Sequence, residues 1–222
     1  MIEKNYYTIR KKKPLKHFNK TLTSFSPFLS EKYGNDFAEN IIIEAKEDFK
    51  ELIPRIPYYK TSAYRTIINA NAELIVLVRA MKRNGKTVED VFKIQAKIMK
   101  KKTSKMPSFI GKIWISKFAG YFLNKIAEKG TEEGWISRYV RGSKKDDFEV
   151  SIITEKCGLV EYLKSEGMTD YLKYCNFVDF IIFPAMNIGL RQPSTIDSGK
   201  CVYCMKYNTK SKIPEYLQKL YN

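Results

Sequence analysis

Four cysteines and one acid in apolar surroundings carry most of the chemistry this sequence can offer. The cysteines stand at 157, 175, 201 and 204 of 222 residues. That is too sparse for a disulfide scaffold, and it fits reduced thiols. Cys201 and Cys204 form a CxxC. A structural zinc or iron–sulfur site usually shows two close pairs, and here only one pair is close. A redox CxxC usually opens a helix, whose free amides favour the thiolate. This one falls in alternating, strand-like sequence. The remaining alternative is a set of small buried hydrophobes, because free cysteine is among the most buried residue types. No metal and no cofactor is the leading expectation. Zinc held by Cys157, Cys175, Cys201 and Cys204 is the alternative.

Asp179 follows Cys175 by four residues, so on a helix the two would share a face. A carboxylate beside Phe177, Phe180 and Ile181 is costly unless paired or protonated. Asp179 is therefore a candidate general acid or base, with capping as the competing role. His17 is the only histidine. It reads as an inert surface residue. A His-based triad or metal site lacks its histidine unless the N-terminal segment folds back. No Walker A and no G-x-G-x-x-G sequence occurs.

Helical periodicity dominates the elements that must position these groups. Phe37, Ile41, Ala45, Phe49 and Leu52 predict a helix over 36–53, stopped by Pro54 and Pro57. A second is expected over 61–83 with Gly85 as its stop. Thr87 to Asp90 resembles a capping box opening a third, and 113–127 reads as a fourth. Residues 1–30 read as an extended or partly ordered basic segment. Beyond 130, Phe148 to Thr154 reads as a strand. Short helices follow over 157–166 and from Thr169 to Cys175. Asn176 to Ile188 is open between helix and strand. Leu190 to Thr195 and Cys201 to Tyr207 look like a two-stranded return, and Pro214 to Tyr221 like a closing helix. The expected fold is α+β: a helical N-terminal half packed on a small, mostly antiparallel C-terminal sheet with short helices. Residues 31–222 read as one domain, helical over 31–130 and cysteine-bearing over 131–222.

Lys and Arg total 40 against 24 Asp and Glu, a formal net charge of +16. Such a balance invites anionic partners. Lysine dominates, however, and no zinc-finger spacing, RNP aromatic motif or heptad follows a basic run. A solvated basic surface is preferred to a nucleic-acid site. No leader-like apolar segment opens the chain and no membrane-spanning window occurs, so a cytoplasmic protein with no membrane partner is expected.

The order of residues resembles the L-2-amino-thiazoline-4-carboxylic acid hydrolase family of bacteria. One block runs from Ile43 through Pro54-Arg-Ile-Pro-Tyr58 to Met81-Lys-Arg-Asn-Gly-Lys-Thr-Val-Glu-Asp90. The second holds Cys157-Gly158-Leu159, Glu166-Gly167, Tyr174-Cys175, Asp179, Gly189-Leu190-Arg191, Thr195, Gly199 and a cysteine in a final strand. The resemblance implies a hydrolase that opens a small cyclic amidine to N-carbamoyl-cysteine. Water or a thiolate adds to the carbon between sulfur and nitrogen, and the carbon–sulfur bond breaks. Such chemistry needs a nucleophile or base, an acid, and a cation for the substrate carboxylate. On this reading Cys157, Cys175 and Asp179 are catalytic. Arg191, with its planar fork, and Thr195 bind the substrate carboxylate. A non-catalytic sensor or carrier of a small ligand or metal is the alternative function.

Overall fold

The computed structural model describes residues 6–221, without the side chains at 117–119. The protein is α+β, with ten α-helices among the described residues and one four-stranded antiparallel sheet in the C-terminal part. The chain divides into two compact units. One holds Met1–Ile98 with Tyr162–Leu172, the other Met99–Glu161 with Lys173–Asn222.

The first unit is helical. It contains α1 (Tyr6–Ile9), α2 (Lys12–Tyr33), α3 (Asn35–Leu52), α4 (Ser62–Arg83) and the start of α5 (Val88–Thr103). Gly34, at φ +93°, turns α2 back into α3, a backbone state that glycine adopts without a Cβ penalty. Helix α2 buries Phe18, Leu22, Phe25 and Leu29, and α3 answers with Ile41, Ala45, Phe49 and Leu52. The rings of Phe18 and Phe49 meet at 4.3 Å. The capping box at Thr87 forms reciprocally: Asp90 Oδ2 accepts from the Thr87 amide, and Thr87 Oγ1 accepts from the Asp90 amide.

The expected extended segment over 1–30 is thus mostly the 22-residue helix α2; residues 1–5 lie outside the described ones. Its apolar stripe recurs every three or four positions and outweighs Pro27, which the helix carries in its interior. His17, expected to be inert, sits on this helix and bonds Glu73 Oε1 of α4 at 2.5 Å, while Thr21 donates to Oε2 at 2.6 Å.

In the second unit α6 (Phe109–Ile115) and α7 (Lys117–Glu132) lead into the sheet of β1 (Ile136–Arg141), β2 (Val150–Lys156), β3 (Ile188–Ser194) and β4 (Cys201–Tyr207), in the order β1-β2-β4-β3. Helix α7 packs on β1, and α9 (Asp179–Ala185) on β3. The single helix expected over 113–127 is two helices. The chain turns extended at Ser116 between them. The open segment 176–188 resolves into α9, and Asn187, at φ +61°, turns it into β3. The closing helix α10 shortens to Glu215–Gln218.

Candidate functional site: a recess of thiols around Asp179

Five side chains on three segments of the second unit converge on one place. Cys157 lies between β2 and α8 (Gly158–Ser165). Cys175 follows the 3₁₀ segment Thr169–Tyr174, and Asp179 opens α9. Cys201 opens β4, and Tyr203, two residues on, shares its face of the strand. These groups lie close enough to shift one another's ionisation: Cys157, Cys201 and Asp179 raise Cys175, and Asp179, Cys201 and Cys175 raise Tyr203.

Each of these side chains is half-buried by accessible surface, yet protein surrounds each closely enough for desolvation to dominate its ionisation. Retained surface inside dense surroundings marks a partly closed position, hereafter the recess. Burial pushes the Asp179 carboxyl up to about 6, and the Tyr203 hydroxyl partly opposes that shift. Burial also raises the thiols. Cys157 reaches about 11 although the Val160 and Leu159 amides at the start of α8 favour its thiolate. Cys175 rises further, with the neighbouring Cys157, Cys201 and Asp179 adding to burial. Cys201 rises despite Gln192 and Tyr203. All three are therefore neutral thiols at physiological pH.

A polar chain supports one wall. Gln192 Nε2 of β3 donates to Cys201 Sγ at 3.2 Å. Asn176 Nδ2 donates to Gln192 Oε1 and contacts the Tyr216 hydroxyl of α10 at 3.2 Å. Asn176 is buried, and its Oδ1 has no hydrogen-bond partner among the described residues. Next to the recess, α9 continues with Phe180 and Ile181. These line a cleft of about 320 Å³ with Lys100, Thr103, Pro184 and Tyr221. The Tyr221 hydroxyl donates to the Phe177 carbonyl at 2.9 Å, and Lys100 Nζ donates to the Tyr221 carbonyl at 2.8 Å.

The structure thus brings Cys157, Cys175 and Asp179 together and adds Cys201. It does not bring Arg191 to them. Arg191 pairs in register with Cys204, one residue before Gln192, so alternation along β3 turns it to the other face of the sheet. There its Nη2 meets Asp147 Oδ1 at 2.5 Å, in a groove of about 180 Å³ with Lys206, Lys210 and Lys212. Thr195 is exposed at the turn after β3, where its carbonyl accepts from the Ser198 hydroxyl at 2.8 Å. Asp197 of that turn acts on Cys175.

Cys204 also leaves the set. Three residues along a strand reverse the face, so Cys204 points toward Ser151 Oγ, 4.0 Å away. The four-cysteine zinc alternative loses a member for that reason. Among the described residues no three His, Cys, Asp or Glu side chains are arranged to hold a metal ion.

Sequence reasoning missed Tyr203, Gln192 and Asn176. The i, i+2 spacing from Cys201 could have found Tyr203. Gln192 and Asn176 carry no such signal, since only the strand register and the path of the chain before α9 bring them in. Comparison with family models, curated proteins and solved structures finds no match.

Proposed function

We propose that the protein hydrolyses a small cyclic amidine, of the kind represented by 2-amino-thiazoline-4-carboxylate, with Asp179 as the acid–base group. One observation carries the reading: an enclosed carboxyl that ionises near neutrality, faced by a tyrosine hydroxyl and neutral thiols, with no cation among the described residues acting on it. An amidinium supplies that missing countercharge. Its planar, sulfur-bearing ring also suits a wall of soft, polarisable thiols.

In this mechanism Asp179 takes a proton from water as the oxygen bonds to the ring carbon between sulfur and nitrogen. The adduct collapses, the carbon–sulfur bond breaks and its electron pair goes to sulfur. Asp179 returns the proton to that sulfur, the adduct's hydroxyl proton leaves to solvent as the carbonyl of the N-carbamoyl product forms, and Tyr203 stabilises the developing charge. Water is preferred to a thiolate as nucleophile because burial keeps the thiols protonated. Lys100, in the adjoining cleft, takes the place of Arg191 as the candidate cation for the substrate carboxylate.

The test follows thiol release from 2-amino-thiazoline-4-carboxylate with a chromogenic disulfide. Asp179→Asn is expected to lose about 100-fold or more in rate, in line with the removal of a general base. Cys157→Ala is expected to lose only a few-fold. Tight binding of the amidine without turnover would instead favour the carrier alternative.

A further inference from the structure

A different part of the second unit has no role in that chemistry and carries a distinct signal. Between 99 and 127 the sequence contains no Asp, Glu or Arg, and every charged residue is lysine. Lys101, Lys102, Lys105, Lys112 and Lys125 are exposed. The same stretch leaves large apolar groups in solvent: Phe109 is 60% exposed, Ile113 56% and Tyr121 57%. We propose that this surface docks reversibly on an anionic lipid bilayer.

The geometry gives the stretch two faces. Helix α6 turns Gly111 and Ile115 inward. It sits so close that a Cβ on Gly111 would lie 1.9 Å from the Met186 carbonyl oxygen. Phe109 and Ile113, four residues apart, therefore form one stripe on the outer face, with Lys112 beside it. Helix α7 repeats the arrangement. Gly120 seats against the Tyr139 ring, where a Cβ would lie 2.7 Å from Cε1. Tyr121 faces out with Lys125 Nζ 4.6 Å from its ring centroid. Chain continuity keeps the parts close: α6 is about 10 Å long, and Lys105 lies within about 14 Å of Phe109.

Charge complementarity and side-chain type select the occupant. A second copy of this surface would bring lysine against lysine. A nucleic acid accepts the charge but is read mainly through arginine and polar side chains, and it offers nothing to Ile113. An anionic bilayer takes both components, lysines at the headgroups and the Phe109–Ile113 stripe at the acyl boundary. No helix of the described residues is long and apolar enough to cross a membrane. The contact lies on the bilayer and does not span it.

The test is co-sedimentation of the full chain with vesicles of phosphatidylcholine alone and of equal parts phosphatidylcholine and phosphatidylserine. Binding is expected to the mixed vesicles only, and it should weaken as salt rises. The double variant Phe109→Ser/Ile113→Ser should bind about tenfold more weakly. The triple variant Lys101→Gln/Lys102→Gln/Lys105→Gln should lose most of the phosphatidylserine preference. The lipid and salt arms use the unaltered protein, so a variant that fails to fold leaves the result readable. Absence of binding to phosphatidylserine vesicles overturns the proposal. So does tight retention of a single-stranded oligonucleotide that the Phe109→Ser/Ile113→Ser variant keeps in full.

Discussion

Asp179 places opposing demands on folding and on chemistry. Its carboxyl holds a proton up to about pH 6 in the folded protein, against about 4 when unfolded. The folded state therefore binds more protons between those values. The stability linked to the protonated form is complete below about pH 4 and is lost as pH rises through about 6, a change of about 3 kcal/mol. Asp179→Asn removes the titration. Urea melts of the two proteins should coincide near pH 4, and the variant should be the more stable above about pH 7. Equal stability at every pH would show that the carboxyl is not enclosed. At this scale the sequence conveyed a good deal. Cys175, Asp179 and their apolar neighbours were visible from spacing and residue type. Arg191 was not placeable, because its face depends on strand register. One step along β3 separates Gln192, in the recess, from Arg191, outside it.

Between elements, close backbone approach and enclosed charge decide which substitutions matter. Gly111→Ala would drive a Cβ onto the Met186 carbonyl oxygen, which is backbone and has nowhere to go. A loss of about 1–3 kcal/mol is expected in urea denaturation. Unchanged stability would mean that α6 does not sit where described. In the first unit Glu166 receives Arg55 Nε at 3.1 Å and Arg79 Nη2 at 3.0 Å, with only 7% of its own side chain exposed. Burial alone would raise its carboxyl, but the hydrogen bonds from Arg55 and Arg79 outweigh it and hold the group below its usual range. Its contribution is thus present above the usual glutamate pKa and is lost as pH falls through the lowered one. Glu166→Ala should cost about 2–4 kcal/mol at neutral pH, and less in acid. A neutral-pH effect within experimental error would contradict the pairing. Helices α3 and α4, with clean stripes, were legible to within a residue or two, and so was the start of α5. Helix α2 was not, because Ser, Thr, Lys and Pro27 surround its stripe and resemble an irregular segment. Strand β1 was also missed: Ile136-Ser-Arg-Tyr-Val-Arg141 lacks a clean alternation of apolar and polar residues and sits beside a Gly-Ser turn.

For the molecule as a whole, the α+β class followed from the change of period near residue 130, where 3.6-residue stripes give way to alternation. Composition could not separate the lysines that solvate a surface from those that, with Phe109 and Ile113, mark an outer face of the second unit. That distinction needed burial. Nor could spacing show that the thiol recess and the Arg191 groove lie on opposite faces of one sheet. The functional account rests on Asp179 ionising within the recess and drawing the proton from water. It is tested most directly by the pH dependence of kcat/KM for 2-amino-thiazoline-4-carboxylate. The rate is expected to rise with an apparent pKa of about 6 and to lose that limb, with about 100-fold in magnitude, in Asp179→Asn. Absence of turnover at any pH, or a variant that keeps both the rate and the limb, would contradict it.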